Sequence, residues 1–535
     1  MPASGSAQPR NPAMTEKPLR NVLFITADQW RGDSLSALGH PNAATPNLDA
    51  LAAEGVTFSR HFTQASPCGP SRTSLLTGLY QMNHRSVQNG TPLDARHSTL
   101  ALEARKGGYD PILFGYTDTS PDPRLRHAAD PALRTYSGVL PGMSLGCAMG
   151  EDLLPWRRQL KARGYDIPAE PLDIFRSAGR STSADGRFSA PHTVFAAEDS
   201  DTAFIADQAL HHLSLPQQEP WFLHLVFLRP HPPLIAPEPY NTLCDPEAVA
   251  APRRAASVAQ EAAQHPYLAY LLEQQKTPGY YWGHDIPIQD LGEDQVRQLA
   301  ATYYGLITEV DHHVGRIVAF LKDNGLYDET LIVFTSDHGE MLGNHWLWGK
   351  EGYFDDAFHI PLILRDPRPE ADAGRGRVLE AMTEAVDLAP TLLDWLDLET
   401  PPQFDGRSLL PFLQGEEPEA WRREAHWEFD FRDVVDQGPE RALGLTSDEC
   451  TLNVLRAERY KYVHFTALPP LLFDLQDDPG ETRNLAESPE HQGVLLEMAQ
   501  KLLSWRMLHD ERVLSNTLLT SRGSVQHPGP RHRSG

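Results

Sequence analysis

Apolar runs that do not alternate with polar residues recur along this chain. Asn21 to Ala27, Tyr109 to Tyr116, Trp221 to Leu228, Thr330 to Thr335 and Pro361 to Leu364 are each of strand length. Runs of this kind predict strands of a parallel sheet, buried on both faces. Helical patterns lie between them, over Thr45 to Glu54, Leu100 to Lys106, Asp201 to Leu213 and Val386 to Leu396. The longest covers Gln295 to Asn324, where Leu299, Tyr303, Leu306, Val310, Val314, Ile317 and Leu321 recur at steps of three and four, and Gly325 ends it. The expected fold is α/β, a mostly parallel sheet flanked by helices.

The remainder sets the domain organisation. Residues 1–18 read as a disordered leader, and 19–400 as one large catalytic domain. Two segments, 120–200 and 236–292, are rich in loop residues and are expected to run off the sheet. Gln81 to Arg85 reads as a polar loop. Pro401-Pro402 and Phe404 to Arg407 mark a change of texture. Beyond it, a hairpin strand at Tyr460 to Phe465 and a helix at Pro489 to Leu508 predict a smaller C-terminal α+β subdomain over 401–510, followed by a tail over 511–535. No internal repeat is present.

Charge changes the picture of partners. With 47 basic and 72 acidic residues, the net charge is −25. That disfavours nucleic acid and anionic membranes, so an anion site must be made positive locally. The four cysteines, Cys68, Cys147, Cys244 and Cys450, are far apart and form neither a zinc knuckle nor a disulfide scaffold. Met1 to Lys17 lacks an apolar signal core, and no apolar run approaches the roughly 20 residues of a membrane helix. A cytoplasmic protein is expected.

The chemistry centres on Ser66 to Gly78. Pro70 suits the first turn of a helix, and Ser71, Thr73 and Ser74 are expected to satisfy its spare amides. Gly78 ends it. Cys68 and Arg72 then point at one spot, near a helix start that favours anions. A buried structural cysteine is the plainer alternative. Two strand ends carry ligand types: Asp28-Gln29 after the first strand, and Asp337-His338 after the fourth. In open α/β sheets the ligand crevice lies at the carboxyl ends of the strands, so both pairs can reach one site.

The run Cys68, Pro70, Ser71, Arg72 resembles the sulfatase signature, whose cysteine is oxidised to formylglycine by a dedicated formylglycine-generating enzyme. Gly78 to Arg85, Gly115-Tyr116-Thr117, Arg229 to Pro233, Glu428 to Asp433 and Phe473-Asp474-Leu475 further resemble the phosphonate monoester hydrolase/phosphodiesterase branch of the alkaline phosphatase superfamily. The likeness spans about Arg20 to Arg512. It implies an alkaline-phosphatase-like sheet and one divalent metal on Asp28, Gln29, Asp337, His338 and the modified Cys68. It also implies Arg72, His231 and Lys350 as catalytic residues, and Asn89 and Tyr116 as contacts to the substrate oxyanion. Hard oxygens with one imidazole suit Mn²⁺ better than Ca²⁺, with Zn²⁺ and Fe²⁺ as further alternatives. The arylsulfatase branch carries an extra Asp and an Asn where this chain has Gln29 and His338.

The implied activity is hydrolysis of small anionic esters, namely phosphonate monoesters and phosphate diesters, with promiscuous sulfatase activity. The implied assembly is a homo-oligomer, dimer or tetramer. An arylsulfatase is the alternative within the scaffold. A serine- or threonine-nucleophile phosphatase is disfavoured by Cys68. An inactive protein that keeps the metal pocket for binding is the remote alternative. Asp118 and His345 remain unassigned, and the pair His312-His313 is read as structural, because adjacent helical residues face different directions.

Overall fold

The computed structural model describes residues 20–175, 192–216, 220–275, 288–511 and 513–526. The expected leader, parts of both excursions and the end of the tail lie outside these.

Eight strands form the central sheet: β1 (Asn21–Ala27), β2 (Val56–Phe58), β3 (Pro111–Gly115), β4 (Ser144–Ala148), β5 (Phe222–Phe227), β6 (Thr330–Ser336), β7 (Leu362–Arg365) and β8 (Arg377–Leu379). Their order is β8-β2-β7-β6-β1-β5-β3-β4. Neighbours are parallel except where β7 meets β2 and β6. The continuous apolar runs follow from cover on both faces. Leu23 and Ile25 of β1 pack on one side with Leu223 and Phe334, under α1 (Pro46–Ala53), α3 (Asp201–Ser214) and α4 (Glu293–Asp323). Val22 and Phe24 pack on the other with Leu331 and Val333, under α2 (Cys68–Thr77) and α5 (Leu388–Trp395). All seven apolar positions predicted on the long helix lie in the first of these cores.

Three expectations change. The excursion 120–200 does not stay off the sheet: it supplies β4, which extends the sheet beyond β3. Gln81 to His84 forms one helical turn instead of a loop. The hydroxyls of α2 do not cap its start. Thr73 Oγ1 donates back to the Gly69 carbonyl at 2.8 Å, and Ser71 Oγ donates to the Asp337 carbonyl. The Gly69 amide is instead satisfied by Asn89 Oδ1 at 2.8 Å.

At the C-terminal side an antiparallel sheet runs β9 (Ala425–Asp430), β10 (Thr451–Arg456), β11 (Tyr460–Phe465), β12 (Leu471–Asp474). The helix α6 (Gln492–His509) packs on one face through Met498 and Leu502. The other face meets Phe62, Tyr267, Leu268 and Phe358. Among the described residues no helix is long and apolar enough to cross a membrane.

Candidate functional site

Register places the site. β1 and β6 are parallel with Ala27 opposite Ser336, so the next residues, Asp28 and Asp337, emerge side by side. On the other side of β1, β5 brings Phe227 opposite Ala27, and its exit leads to Arg229 and His231. β3 lies beyond β5 and delivers Tyr116. Four adjacent strand ends therefore face one crevice, and the start of α2 closes it with Cys68.

Asp28, Cys68, Asp337 and His338 each offer a ligand atom, all within 4.8 Å of one another. His338 Nε2 is 3.2 Å from Cys68 Sγ and 3.6 Å from both Asp28 Oδ1 and Asp337 Oδ2. Its Nδ1–H donates to the Gly339 carbonyl at 3.1 Å, which assigns the lone pair to Nε2, as a metal-bound histidine requires. Burial keeps the ring neutral, pulling its pKa down to about 4. Burial alone would raise the Asp337 carboxyl, but His338, Arg72 and Lys350 hold it well below its ordinary value. Two carboxylates, a neutral imidazole turned inward and an amide oxygen fit a divalent cation.

Gln29 has left-handed backbone, φ +68°. Its amide N–H donates to Asp337 Oδ1 at 3.1 Å, and its side-chain Oε1 accepts from Lys350 Nζ at 3.1 Å. Lys350 Nζ also lies 3.1 Å from Cys68 Sγ. Burial pushes the Cys68 thiol up, Asp28 adds to the rise, and Lys350 opposes it. The thiol is thus held neutral in the position that formylglycine would occupy.

Arg72 sits 2% exposed between the two carboxylates. Its Nη2 is 2.7 Å from Asp28 Oδ2 and its Nε 2.9 Å from Asp337 Oδ2. Nη1 donates to the Tyr116 carbonyl at 2.7 Å, and the guanidinium lies 4.1 Å from the Tyr116 ring centroid. Tyr116 Oη donates to Asp28 Oδ2 at 2.7 Å. Arg72 is therefore a counter-charge to the carboxylates, and Tyr116 braces one of them. Asn89 is beside Cys68 through the Gly69 amide. His231 Nδ1–H donates to the Pro232 carbonyl at 2.7 Å. Burial and the nearby Lys350 hold the His231 ring well below its usual pKa. All ten predicted residues thus gather at this end of the sheet.

Other residues sort differently. His345 bonds Glu261 at 2.9 Å and stacks on Phe354, apart from the ligand cluster. His313 bonds Arg316 on α4. Asp118 does belong to the site: it is 5% exposed, has φ +48°, and accepts from Ser137 Oγ at 3.0 Å. Burial, aided by Asp28, pushes its carboxyl up to about 6 against the pull of Arg72.

Glu340 was not singled out by sequence reasoning, and it ties the site together. The Gln29 side-chain amide donates to Glu340 Oε2, while Glu340 Oε1 accepts from the amides of Gly349, at 2.6 Å, and Leu342, at 3.0 Å. One fully buried carboxylate thereby turns the Gln29 oxygen toward Lys350 and anchors the residue before Lys350. Its sequence signal was its place directly after Asp337-His338-Gly339. Partners that orient ligands in this way typically carry about 10- to 100-fold in metal affinity. Glu340→Ala is expected to lose that much, read by metal titration against a competing chelator. An unchanged affinity would remove Glu340 from this role.

Residues 20–398 match the family model "Sulfatase", and 343–507 match "N-sulphoglucosamine sulphohydrolase, C-terminal". The multifunctional alkaline phosphatase superfamily protein PehA of Trinickia caryophylli is 44% identical over 509 residues, covering 94% of this chain and 98% of that protein. The crystal structure of the phosphonate monoester hydrolase of Agrobacterium radiobacter superposes with TM-score 0.91 at 47% identity, covering 95% of this chain and 100% of that one. The phosphonate monoester hydrolase of Silicibacter pomeroyi superposes with TM-score 0.88 at 42% identity, covering 95% and 99%.

Proposed function

Since this chain belongs to the sulfatase family, a family of hydrolases that use a divalent metal and a formylglycine, we propose that it hydrolyses phosphonate monoesters and phosphate diesters, with lesser activity on sulfate esters. The observation that carries this reading is the convergence of Cys68 Sγ with His338, at 3.2 Å, and Lys350, at 3.1 Å, in a chain so similar to two phosphonate monoester hydrolases.

Residue 68, as the hydrated aldehyde, attacks phosphorus through one hydroxyl, which gives up its proton as the oxygen–phosphorus bond forms. The bond from phosphorus to the leaving oxygen breaks, and that oxygen takes a proton by way of His231 or Lys350. The second hydroxyl then gives up its proton, the carbon–oxygen bond to the phosphonate breaks, and the aldehyde re-forms and takes up water. A serine has no second hydroxyl and cannot release product this way.

A divalent ion held by Asp28, Gln29, Asp337, His338 and the residue-68 oxygen would lower the pKa of that oxygen and polarise the phosphoryl group. We take it to be Mn²⁺, because the donor set mixes carboxylate and amide oxygens with one imidazole. Arg72 holds Asp28 and Asp337 in place. Asn89 and Tyr116 line the position of the non-bridging oxygens.

The test is a parallel assay on an aryl phosphonate monoester, a phosphate diester and an aryl sulfate. The expected kcat/KM for the phosphonate monoester exceeds that for the sulfate by at least about tenfold, a difference of about 1.4 kcal/mol in transition-state binding. A sulfate ester preferred over both phosphorus esters would make the chain an arylsulfatase instead.

A further inference from the structure

Behind the His231 turn lies a charge pair that the mechanism does not yet use. Arg229 is 1% exposed and Asp201, the first residue of α3, 3% exposed. Arg229 Nε donates to Asp201 Oδ2 at 3.1 Å, and its guanidinium lies 4.2 Å from the Phe175 ring centroid. Its Nη1 donates to two backbone carbonyls, His231 at 2.8 Å and Pro233 at 3.0 Å.

Those two carbonyls flank a third. The Pro232 carbonyl accepts from His231 Nδ1–H at 2.7 Å and so orients the imidazole. Pro230, Pro232 and Pro233 have no amide hydrogen, so this turn has few donors of its own with which to hold its carbonyls. A planar fork with several fixed donors suits the task, and a lysine, with charge and donors but no fork, reproduces it only in part. Glu309 on α4 also faces the pair. Burial, with Asp201 adding to it, pushes its carboxyl up to about 8.

We propose that Arg229, held by Asp201, is a positioning residue for His231: it fixes the backbone on both sides of the Pro232 carbonyl, which keeps the ring proton on Nδ1 and leaves Nε2 for proton exchange with the leaving-group oxygen. This inference rests on the reading of His231 as a proton-handling residue. A brace of this kind matters most where the leaving group needs the proton most. A purely structural pair would slow every substrate alike.

The test measures kcat/KM for wild type, Arg229→Met, Arg229→Lys, Asp201→Asn and His231→Ala on aryl phosphonate monoesters of rising leaving-group pKa. Arg229→Met is expected to lose about 10- to 100-fold on the poorest leaving group but about threefold or less on nitrophenolate. Arg229→Lys should recover part of this loss. Asp201→Asn, which keeps the side-chain shape, should steepen the leaving-group dependence in the same direction. In the His231→Ala background, Arg229→Met should add nothing further. Equal losses across the series, or losses that multiply in the double variant, would overturn the inference while leaving His231 in its role. A flat series in His231→Ala itself would overturn the reading of His231, and this inference with it.

Discussion

Cys68→Ala is expected to lose at least about 10⁴-fold in multiple turnover on an aryl phosphonate monoester, the scale on which removal of a nucleophile acts in other hydrolases. The expectation follows from placement. Sγ lies 3.2 Å from His338 Nε2, 3.1 Å from Lys350 Nζ and 3.9 Å from Asp28 Oδ1. Cys68→Ser separates the chemistry further. It keeps an oxygen near the same position, so one round of attack should proceed and release a stoichiometric burst of the phenol. Turnover should then stall, because the covalent phosphonate has no neighbouring hydroxyl to expel it. Rapid-quench kinetics distinguish the two variants: no burst for alanine, a burst without steady state for serine. Full steady-state activity of Cys68→Ser would contradict the role of the diol.

Arg72→Met carries the second large effect, and it acts on stability and activity together. Asp28, Asp337 and Arg72 are all nearly inaccessible, with the guanidinium 2.7 and 2.9 Å from the two carboxylates. Removing one partner of a buried pair typically costs about 3–5 kcal/mol, since the charge left behind is neither solvated nor paired. In metal-free protein the variant should therefore unfold at a clearly lower denaturant midpoint than wild type. A divalent cation binds the same two carboxylates and should restore much of that loss. It should not restore activity, because Tyr116 also loses the guanidinium that holds its backbone carbonyl at 2.7 Å. A deficit of about 10²–10³ in kcat is expected from the disturbed charge-stabilising shell. Equal denaturant midpoints for metal-free wild type and Arg72→Met would show that the pair does not have this role.

Much of this site was legible because each key residue follows a feature with strong physical meaning. Asp28 and Asp337 are about 300 residues apart, yet each ends a continuous apolar run, and parallel strands bring such ends together. Cys68 and Arg72 lie one helical turn apart, so a single short helix fixes both. What stayed hidden depends on contacts that no local pattern encodes. Glu340 matters because the Gln29 amide reaches it from another strand, and a carboxylate in a turn is otherwise unremarked. Arg229 sits in a turn read only for its histidine, and its partner Asp201 begins a helix that showed nothing beyond an apolar stripe. Arg72 is engaged by two carboxylates that arrive from two other strand ends, a pairing that its own helix start does not show. β4 was missed for a different reason: Ser144 to Ala148 is half exposed, contains Gly146, and has neither an alternating nor a continuous apolar pattern. Its strand character comes from pairing with β3 at the sheet edge.

The central claim is that residue 68 acts as an aldehyde hydrate beside a divalent cation. Protein produced with graded levels of a formylglycine-generating enzyme, and loaded with Mn²⁺, would span a range of conversion at Cys68. The most direct test plots steady-state turnover of an aryl phosphonate monoester against the converted fraction, read from the mass of the Cys68 peptide. The account predicts a straight line through the origin. Turnover that does not depend on conversion, or that persists at full rate when every Cys68 is still a thiol, would contradict it.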